Sequence, residues 1–244
     1  MKVLVFGGTT EGRLLARELS ALGAQVTVSV ATALGAEELR GVPPLTVCVG
    51  RKDTRQMREM LPGFAVCVDA THPYAAEASG NIRAACLAAG VPYRRLLRGA
   101  SALPPDSVVV PDAPAAARWL AGTQGNILLA TGAKELAAFA GLDAERLYPR
   151  VLPTHEGLAA CEAAGVPHGN IIALQGPFTR ELNEALMRRF DIGYLVTKDG
   201  GSAGGFAEKA QAAAQSGAVL IVLRRPEECG ETAEEILQRC RELL

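Results

Sequence analysis

The sequence contains few of the residues that build metal sites and disulfide-rich secreted folds. Its 244 residues include three histidines, and its six cysteines are widely spaced, with no Cys-x-x-Cys pair. Cysteines in apolar strand-like or alanine-rich helical stretches behave as small hydrophobic residues. Disulfide frameworks belong mainly to small secreted domains. We therefore expect free thiols and no metal site.

The chain also lacks a large net charge of either sign, and it has no long apolar run. Its formal net charge is −1, whereas a dedicated nucleic-acid binder normally has a basic bias. No apolar run reaches the roughly 18 residues of a membrane span, and the short segment Met1–Phe6 is followed at once by glycines, unlike a secretory signal. We expect a cytoplasmic protein, most simply a monomer, that binds neither nucleic acid nor membrane.

What the sequence does contain is a repeated alternation of short apolar runs and amphipathic segments. Nearly continuous apolar runs are typical of strands buried on both faces. Their alternation with helices predicts parallel sheets with right-handed crossovers. In the first half we predict strands at Lys2–Phe6, Gln25–Val30, Leu45–Val49, Phe64–Asp69 and Tyr93–Leu97, and helices at Glu11–Leu22, Thr54–Leu61 and Tyr74–Ala89. In the second half we predict strands at Asn126–Ala130, Ile171–Leu174, Tyr194–Thr197 and Val219–Leu223, and helices at Lys134–Ala140, Glu156–Ala164, Arg180–Phe190, Phe206–Ser216 and Thr232–Leu243.

A proline-rich segment at residues 99–114 separates the two halves, because closely spaced prolines disfavour helix continuation. The predicted fold is therefore α/β, with two Rossmann-like parallel-sheet domains and an interdomain cleft. The N-terminal, cofactor-binding domain covers residues 1–98 and the C-terminal domain residues 115–244. A terminal strand of one half is allowed to complete the other sheet.

The first glycine cluster follows a strand and opens a helix, where free backbone N–H groups favour an anion. Its members are Gly7, Gly8, Thr9, Thr10 and Glu11. The spacing is not Gly-x-Gly-x-x-Gly, so a tight turn without a ligand is the alternative. The second strand ends without the carboxylate that usually binds an NAD ribose, and without an arginine that would require NADP, so the choice between NADPH and NADH stays open.

A second polar cluster follows the strand that ends at Asp69. It consists of Asp69, Ala70, Thr71, His72, Pro73 and Tyr74. Ligands bind beyond the carboxyl ends of strands in open α/β sheets, so the cluster is predicted to line the same site as the glycines. The alternative is that Asp69 and Thr71 only cap a helix that begins near Pro73.

The second half carries a glycine-rich loop after the strand at Tyr194–Thr197, and two smaller groups after other strands. They contain Thr197, Lys198, Asp199, Gly201 and Gly204, then Thr131 and Lys134, and finally Gly176 and Phe178. These groups, with Arg98, are candidates for binding a polyanionic ligand. A flexible surface loop is the alternative.

Together these clusters resemble the precorrin-6A reductase family of cobalamin biosynthesis, in the family's order and over almost the whole chain. The resemblance rests on Gly7–Glu11, on Asp69–Ala75, on Thr197–Gly200 followed by Gly204–Lys209, and on Gly176–Phe178. It implies hydride transfer from NADPH or NADH to a ring double bond of a tetrapyrrole corrin precursor. The substrate is precorrin-6A or its cobalt form, and the segments Thr131–Leu136 and Val151–Thr154 resemble the cobalt branch more. In that branch the cobalt belongs to the substrate.

Site roles follow from this resemblance as hypotheses. The first glycine cluster and Asp69–Tyr74 would hold the cofactor. His72, Lys198 and Asp199 would serve catalysis, and the second-half residues with Arg98 would bind the substrate. The family commonly has Lys-Asp-Ser-Gly where this chain has Lys198-Asp199-Gly200-Gly201, so a hydroxyl is missing there or comes from Ser202.

Rival functions remain at this point. One is another NAD(P)H reductase of a polyanionic substrate, for example a short-chain-type sugar reductase. That class needs a Tyr-x-x-x-Lys catalytic pair, and we expect no tyrosine here to have a lysine four residues further on. The other is a non-catalytic nucleotide-sensing module, because fold alone does not fix function.

Overall fold

The computed structural model describes residues 1–41, 45–99, 101–201, 204–227 and 229–244, which form two compact units. The first unit combines Met1–Arg98 with Pro226–Leu244, and the second unit spans Gly99–Arg225. Each unit contains one parallel sheet flanked by helices. The α/β class with two parallel-sheet domains, predicted from the sequence, is confirmed.

The first unit is built on a five-stranded sheet with the order β3-β2-β1-β4-β5. Its strands are β1 (Lys2–Phe6), β2 (Gln25–Val30), β3 (Leu45–Val49), β4 (Val66–Asp69) and β5 (Tyr93–Arg95). Its helices are α1 (Thr10–Ala21), α2 (Ala33–Glu37), α3 (Thr54–Met60), α4 (Ala76–Ala89) and, from the C-terminus, α9 (Ala233–Arg241).

The central strand β1 is buried on both faces, as its unbroken apolar sequence requires. Val3 and Val5 pack into one hydrophobic cluster with residues of α1 and α9. Leu4 and Phe6 point to the opposite face, where they pack with residues of α3 and α4. The period-two alternation of a strand therefore supplies both hydrophobic layers of the unit.

The second unit is built on a six-stranded sheet with the order β6-β11-β10-β7-β8-β9. Its strands are β6 (Val108–Val110), β7 (Asn126–Ala130), β8 (Leu147–Val151), β9 (Ile172–Ala173), β10 (Ile192–Lys198) and β11 (Val219–Leu223). Its helices are α5 (Ala113–Leu120), α6 (His155–Ala163), α7 (Arg180–Arg189) and α8 (Phe206–Ser216), with short 3-10 helices that include Ala133–Phe139.

The strand order reverses once inside each sheet, and both reversals lie at loops that the sequence singled out. In the first unit β1 lies between β2 and β4, so the chain leaves β1 on one side and returns on the other. In the second unit β7 lies between β8 and β10 in the same way. The crevice beyond the carboxyl ends of two such strands is the usual ligand position in open α/β sheets.

The C-terminal segment differs from the sequence expectation, which placed residues 115–244 together. Residues 226–244 pack in the first unit. Glu231 donates its N–H to Arg95 O at 2.8 Å and accepts from Leu97 N at 2.8 Å, which extends the sheet edge beside β5. Helix α9 then buries Ile236 and Cys240 in the core under α1. These long-range contacts have no local signature in the sequence.

The proline-rich segment is also more than a linker. It contains β6, which pairs with β11 at the edge of the second sheet, and Asp112 caps α5, which starts at Ala113. Strand β8 and helix α2 were not predicted. Pro149 and Arg150 interrupt the apolar run of β8, and this obscured the strand in the sequence.

Candidate functional site

The β1–α1 loop binds its neighbours tightly through Thr9. Thr9 caps α1 by accepting from Gly12 N at 3.0 Å, and its hydroxyl donates to Ala70 O at 2.9 Å. This close approach favours glycine at position 12, because a Cβ there would lie 2.8 Å from Ala70 Cβ. Gly8 has a φ of +116°, which favours glycine, and no atom lies within 4 Å of the position that its Cβ would take. The loop therefore presents an open backbone beside a capped helix start.

A shallow depression lies against this loop, between the ends of β1 and β2. It is lined by Gly7, Gly8, Thr9, Arg13, Val28, Val30, Gly35, Glu38 and Leu39. The guanidinium of Arg13 donates to the backbone oxygen of Glu38 at 3.3 Å. The end of β2 carries no charged residue, and the charges at this wall come from Arg13 of α1 and from Glu38, which follows α2.

Asp69, at the end of β4, is the centre of a buried network. Its Oδ1 accepts from Thr71 N at 3.0 Å, from Thr71 Oγ1 at 2.7 Å and from Arg95 Nη1 at 2.7 Å, and its Oδ2 accepts from Tyr93 Oη at 2.9 Å. Desolvation and the neighbouring Asp69 carboxylate raise the pKa of Tyr93. These four bonds hold the loop that follows β4, so the Asp69 carboxylate stabilises the protein through hydrogen bonds to its own residues.

The interpretation of Asp69 and Thr71 as helix caps near Pro73 is wrong. Helix α4 begins at Ala76, and its N-cap residue Ala75 makes no side-chain cap. The segment between Asp69 and Ala75 is therefore a loop that Asp69 holds in place, and its side chains do not cap α4.

His72 and Tyr74 lie in that loop, with their rings 5.5 Å apart and both side chains partly exposed. His72 Nδ1 accepts from Tyr74 N at 3.3 Å, so a neutral His72 ring carries its proton on Nε2. In this tautomer, Nε2–H is a hydrogen-bond donor on a side chain that is partly exposed.

Arg98 and Glu11, predicted for different ligands, are paired with each other. Arg98 Nη2 lies 2.8 Å from Glu11 Oε2, and the arginine side chain is 7 % exposed. The pair joins the first turn of α1 to the chain beyond β5. Arg98 is therefore part of the first unit, at the loops predicted to hold the cofactor.

In the second unit, an ion pair spans the reversal between β7 and β10. Lys198 Nζ lies 2.8 Å from Glu135 Oε1, in the 3-10 helix after β7. Thr197 and Asp199 are buried on either side of Lys198, and Asp199 Oδ1 accepts from Gly201 N at 3.1 Å. Thr131 is also buried, and its hydroxyl has no hydrogen-bond partner among the described residues. Thr131, Thr197, Lys198, Asp199 and Gly201 thus lie at the carboxyl edge of one sheet.

The remaining second-unit candidates for substrate binding are exposed or partly exposed. Lys134 is exposed, and Gly204 is exposed just before α8. Ser202, the expected source of a hydroxyl, lies outside the described residues. Phe178 contacts a residue that the sequence reasoning missed: the guanidinium of Arg150 stacks over its ring at 4.0 Å. Gly176 leaves room for the Phe178 ring, because a Cβ at position 176 would lie 2.9 Å from a ring atom.

Arg150, Asn183 and Lys209 are buried polar residues to which the sequence analysis assigned no role. Arg150 Nη1 donates to Asn183 Oδ1 at 2.8 Å, and Asn183 Nδ2 donates to Thr179 O at 2.7 Å. Lys209 shares the buried face of α8 with Phe206, Ala212 and Ala213. In the sequence, the position of Lys209 among the apolar residues of one helix face is the feature that indicates its burial.

Tyr194 and Lys198 have the Tyr-x-x-x-Lys spacing of a short-chain-type reductase, so the expectation that no such pair exists needs correction. Both lie on β10, where residues four apart are separated by about 13 Å. On a helix the same spacing would bring the two side chains together. Tyr194 instead packs edge-on against Trp119, with ring centroids 5.9 Å apart. The pair does not form one catalytic centre.

Within the described ranges, no group of three or more histidine, cysteine or acidic side chains is arranged to hold a metal ion. No helix in the part of the chain that the structure describes is both long and apolar enough to span a membrane.

Comparison with known proteins gives a consistent match. The family model described as "Precorrin-6x reductase CbiJ/CobK" matches residues 2–241. A cobalt-precorrin-6A reductase of Priestia megaterium is 35 % identical over 231 residues, which cover 92 % of this chain and 90 % of that protein. A precorrin-6A reductase of Rhodobacter capsulatus is 31 % identical over 229 residues, covering 92 % and 88 %. The solved structure of "CobK precorrin-6A reductase" superimposes with a TM-score of 0.80 at 28 % identity, covering 99 % of this chain and 97 % of that one.

Proposed function

The chain belongs to the precorrin-6x reductase family CbiJ/CobK, and we propose that it reduces a ring double bond of a precorrin-6A-type tetrapyrrole in cobalamin biosynthesis. It is an oxidoreductase, and the reductant is a nicotinamide cofactor. The observation that carries this function is the family match over residues 2–241. A non-catalytic nucleotide sensor is not favoured, because the relatives named above are all reductases.

The first unit is the proposed cofactor-binding unit. The open backbone at Gly7 and Gly8 and the start of α1 fit a pyrophosphate, which binds well where N–H groups and a helix dipole point at it. The adenosine ribose would lie against the adjoining depression. Thr10 and Glu11 open α1 beside it, and the loop from Ala70 to Tyr74 forms the neighbouring edge. When bound, the reduced nicotinamide supplies a hydride to the substrate.

NADPH is the proposed preferred cofactor. Arg13 lines the ribose depression and is held there by its bond to Glu38 O, which places a cation where a 2′-phosphate would be recognised. The Arg13→Ala variant should lose most of its preference for NADPH over NADH, whereas Arg17→Ala, which removes an exposed arginine of the same helix, should keep it. Equal cofactor preference in wild type and Arg13→Ala would contradict this assignment.

The second unit is the proposed substrate-binding unit. Thr131, Lys134, Thr197, Gly201 and Gly204 follow the strands on either side of its order reversal. Gly176 and Phe178 precede α7, and Arg98, in the first unit, stays a candidate for substrate binding from the sequence alone. The interdomain cleft expected from the sequence stays a prediction.

Lys198, Asp199 and His72 are the proposed catalytic residues. Lys198 can exchange its carboxylate partner Glu135 for a substrate carboxylate at small electrostatic cost, because one ion pair replaces another. Asp199 would hold the glycine-rich turn through Gly201 N. Hydride transfer adds one hydrogen and two electrons, so a proton must follow, and His72 is the proposed donor.

The cobalt-containing precursor is the proposed substrate form, with the cobalt belonging to the substrate. The relative in Priestia megaterium, a cobalt-precorrin-6A reductase, is somewhat more similar to this chain than the Rhodobacter capsulatus precorrin-6A reductase. Incubation with cobalt-precorrin-6A and with precorrin-6A, each with NADPH, tests both the activity and the choice. Cofactor binding without oxidation in both mixtures would overturn the function. The cytoplasmic location and the monomeric state remain predictions.

A further inference from the structure

A short C-terminal segment lies beside the end of β5 in the first unit. We call residues 229–232 the strap, which leads into helix α9 at Ala233. Glu231 N donates to Arg95 O at 2.8 Å, and Glu231 O accepts from Leu97 N at 2.8 Å. The end of β5 therefore has a backbone partner on each side, β4 on one and the strap on the other.

Gly230 allows the strap to come this close to β5. A Cβ at position 230 would lie 2.5 Å from Arg95 O, 2.9 Å from Leu97 Cγ and 3.0 Å from Arg95 Cβ. A contact with a backbone oxygen is not relieved by a side-chain rotation, so a larger residue would push the strap and the end of β5 apart. Arg95 O is also the atom that accepts from Glu231 N. The position of the Arg95 backbone therefore depends on glycine at position 230.

The side chain of Arg95 extends from this point to the loop that follows β4. It is 4 % exposed, and its Nη1 donates to Asp69 Oδ1 at 2.7 Å and to Thr71 Oγ1 at 3.1 Å. Asp69 Oδ1 also accepts from Thr71 N at 3.0 Å. Thr71 directly precedes His72, the proposed proton donor. Arg95 thus contacts the strap through its backbone and the His72 loop through its guanidinium.

The side chain of Glu231 fixes the strap as well. Its Oε1 lies 3.2 Å from Arg94 Nη1 of β5, and its Oε2 lies 3.1 Å from Arg239 Nε of α9. One carboxylate therefore ties the strap to the strand before it and to the helix after it. The strap is attached to β5 by backbone and by side-chain contacts.

We propose that Gly230 and Glu231 are positioning residues, which act through Arg95 to hold the loop of Thr71 and His72 in place for the reduction. The part of that loop in catalysis rests on the proposed function. The connection from the strap to the loop rests only on the contacts described above. It differs from a general contribution of α9 to stability, because it passes through one side chain and reaches one loop.

The first experiment measures hydrogen exchange at the backbone amide of Thr71, which reports opening of the loop in the absence of any ligand. Gly230→Ala should speed this exchange roughly tenfold, the effect of losing one buried charge-assisted hydrogen bond. Glu231→Ala is a milder variant that loosens the strap without added bulk, and it should speed the exchange roughly two- to fivefold.

Ile236→Val is the matched control for this experiment. It removes one buried methyl group of α9 and leaves the strap contacts intact. Exchange at Thr71 should stay at the wild-type rate in this variant. Unchanged exchange in both strap variants, or an equal rise in the control, would overturn the proposal.

The second experiment tests whether Arg95 transmits the effect. Arg95→Lys keeps the positive charge on a flexible stem, without the rigid guanidinium that holds Asp69 and Thr71. Gly230→Ala should then add little to the exchange rate at Thr71, because the side chain that connects the strap to the loop is already changed. Fully multiplicative effects of the two substitutions would contradict a connection through Arg95.

Single-turnover reduction of cobalt-precorrin-6A by NADPH separates positioning from stability. At saturating ligand concentrations, Gly230→Ala should react roughly ten- to hundredfold more slowly, because a small displacement of reacting groups is sufficient for such a loss. Ile236→Val should keep the wild-type rate. A wild-type rate in Gly230→Ala, despite faster exchange at Thr71, would overturn the positioning role. If wild type does not oxidise NADPH, the proposed function fails, while the exchange rates still decide whether the strap holds the loop.

Discussion

The hydroxyl of Thr9 donates a 2.9 Å hydrogen bond to the carbonyl oxygen of Ala70, and this bond joins the two loops at the strand-order reversal of the first sheet. Thr9 follows β1, and Ala70 follows β4, the strand paired with it. The glycine-rich loop and the histidine-bearing loop are therefore fixed to each other before any ligand binds. Gly12 completes the join, because the start of α1 lies against Ala70.

Replacing Gly12 by alanine should destabilise the first unit. Its Cβ would stand 2.8 Å from Ala70 Cβ, and overpacking of this kind costs about 1–3 kcal/mol. Gly80→Ala is the matched control, since Gly80 also lies in a helix and no atom is within 4 Å of its added Cβ. That control should be neutral or stabilising by up to about 1 kcal/mol. Urea unfolding measures both changes, and similar values for the two variants would contradict the close contact.

Breaking the Asp69 network should cost more than removing one of its outer donors. Asp69→Asn leaves the buried Arg95 charge without its carboxylate, for an expected loss of about 3–5 kcal/mol in the free energy of unfolding. Tyr93→Phe removes one hydrogen bond, and should cost about 1 kcal/mol. Denaturant unfolding compares them. A loss in Asp69→Asn no greater than that in Tyr93→Phe would show that the buried ion pair is not central.

Lys209 should make stability depend on pH in the alkaline range. Its pKa falls from 10.5 to about 8 in the folded protein, so the unfolded chain binds more protons between these values. The free energy of unfolding should therefore rise from pH 8 to about pH 10.5, by on the order of 3 kcal/mol from this group. The measured quantity is the difference between wild type and Lys209→Met, in which other titrations cancel. Parallel pH curves for the two proteins would contradict the shifted pKa.

His72 is tested as the proton donor by single-turnover kinetics. His72→Ala should slow the reduction by about 10²–10⁴-fold and abolish the pH dependence that the imidazole imposes. His155→Ala is the control, because His155 is an exposed residue at the start of α6. If His72→Ala keeps the wild-type rate and pH profile, another group donates the proton.

The sequence predicted best the elements that an apolar run or an amphipathic pattern marks clearly. The bounds of β1, β2, β3, β7, β11 and α8 agree with the prediction to the residue. Strand β8 was missed because Pro149 and Arg150 interrupt its run, although both residues are buried. The position of α9 in the first unit was also missed, since it depends on pairing of Glu231 with Leu96 across more than a hundred residues of chain.

Site residues at the ends of strands could be predicted from the sequence. Residues whose environment depends on burial in the folded protein could not. Thr9 and Asp69 could be found from position alone, but the sequence does not reveal that their side chains bind the protein rather than a ligand. Arg150 and Lys209 resemble ordinary solvated cations until the packing of β8 and α8 buries them. Arg13 reaches the depression beside Gly7 and Gly8 from α1, a position that the order of residues in the sequence does not reveal.

The central claim is that this chain reduces a precorrin-6A-type tetrapyrrole with a nicotinamide cofactor, and it is tested most directly by one anaerobic assay. Purified protein is mixed with NADPH and cobalt-precorrin-6A, while nicotinamide absorbance and product mass are followed. We predict that one NADPH is oxidised for each tetrapyrrole converted, and that the product is heavier by two hydrogens. Tight binding of NADPH with no oxidation and an unchanged tetrapyrrole mass, with precorrin-6A as well as its cobalt form, would contradict the account.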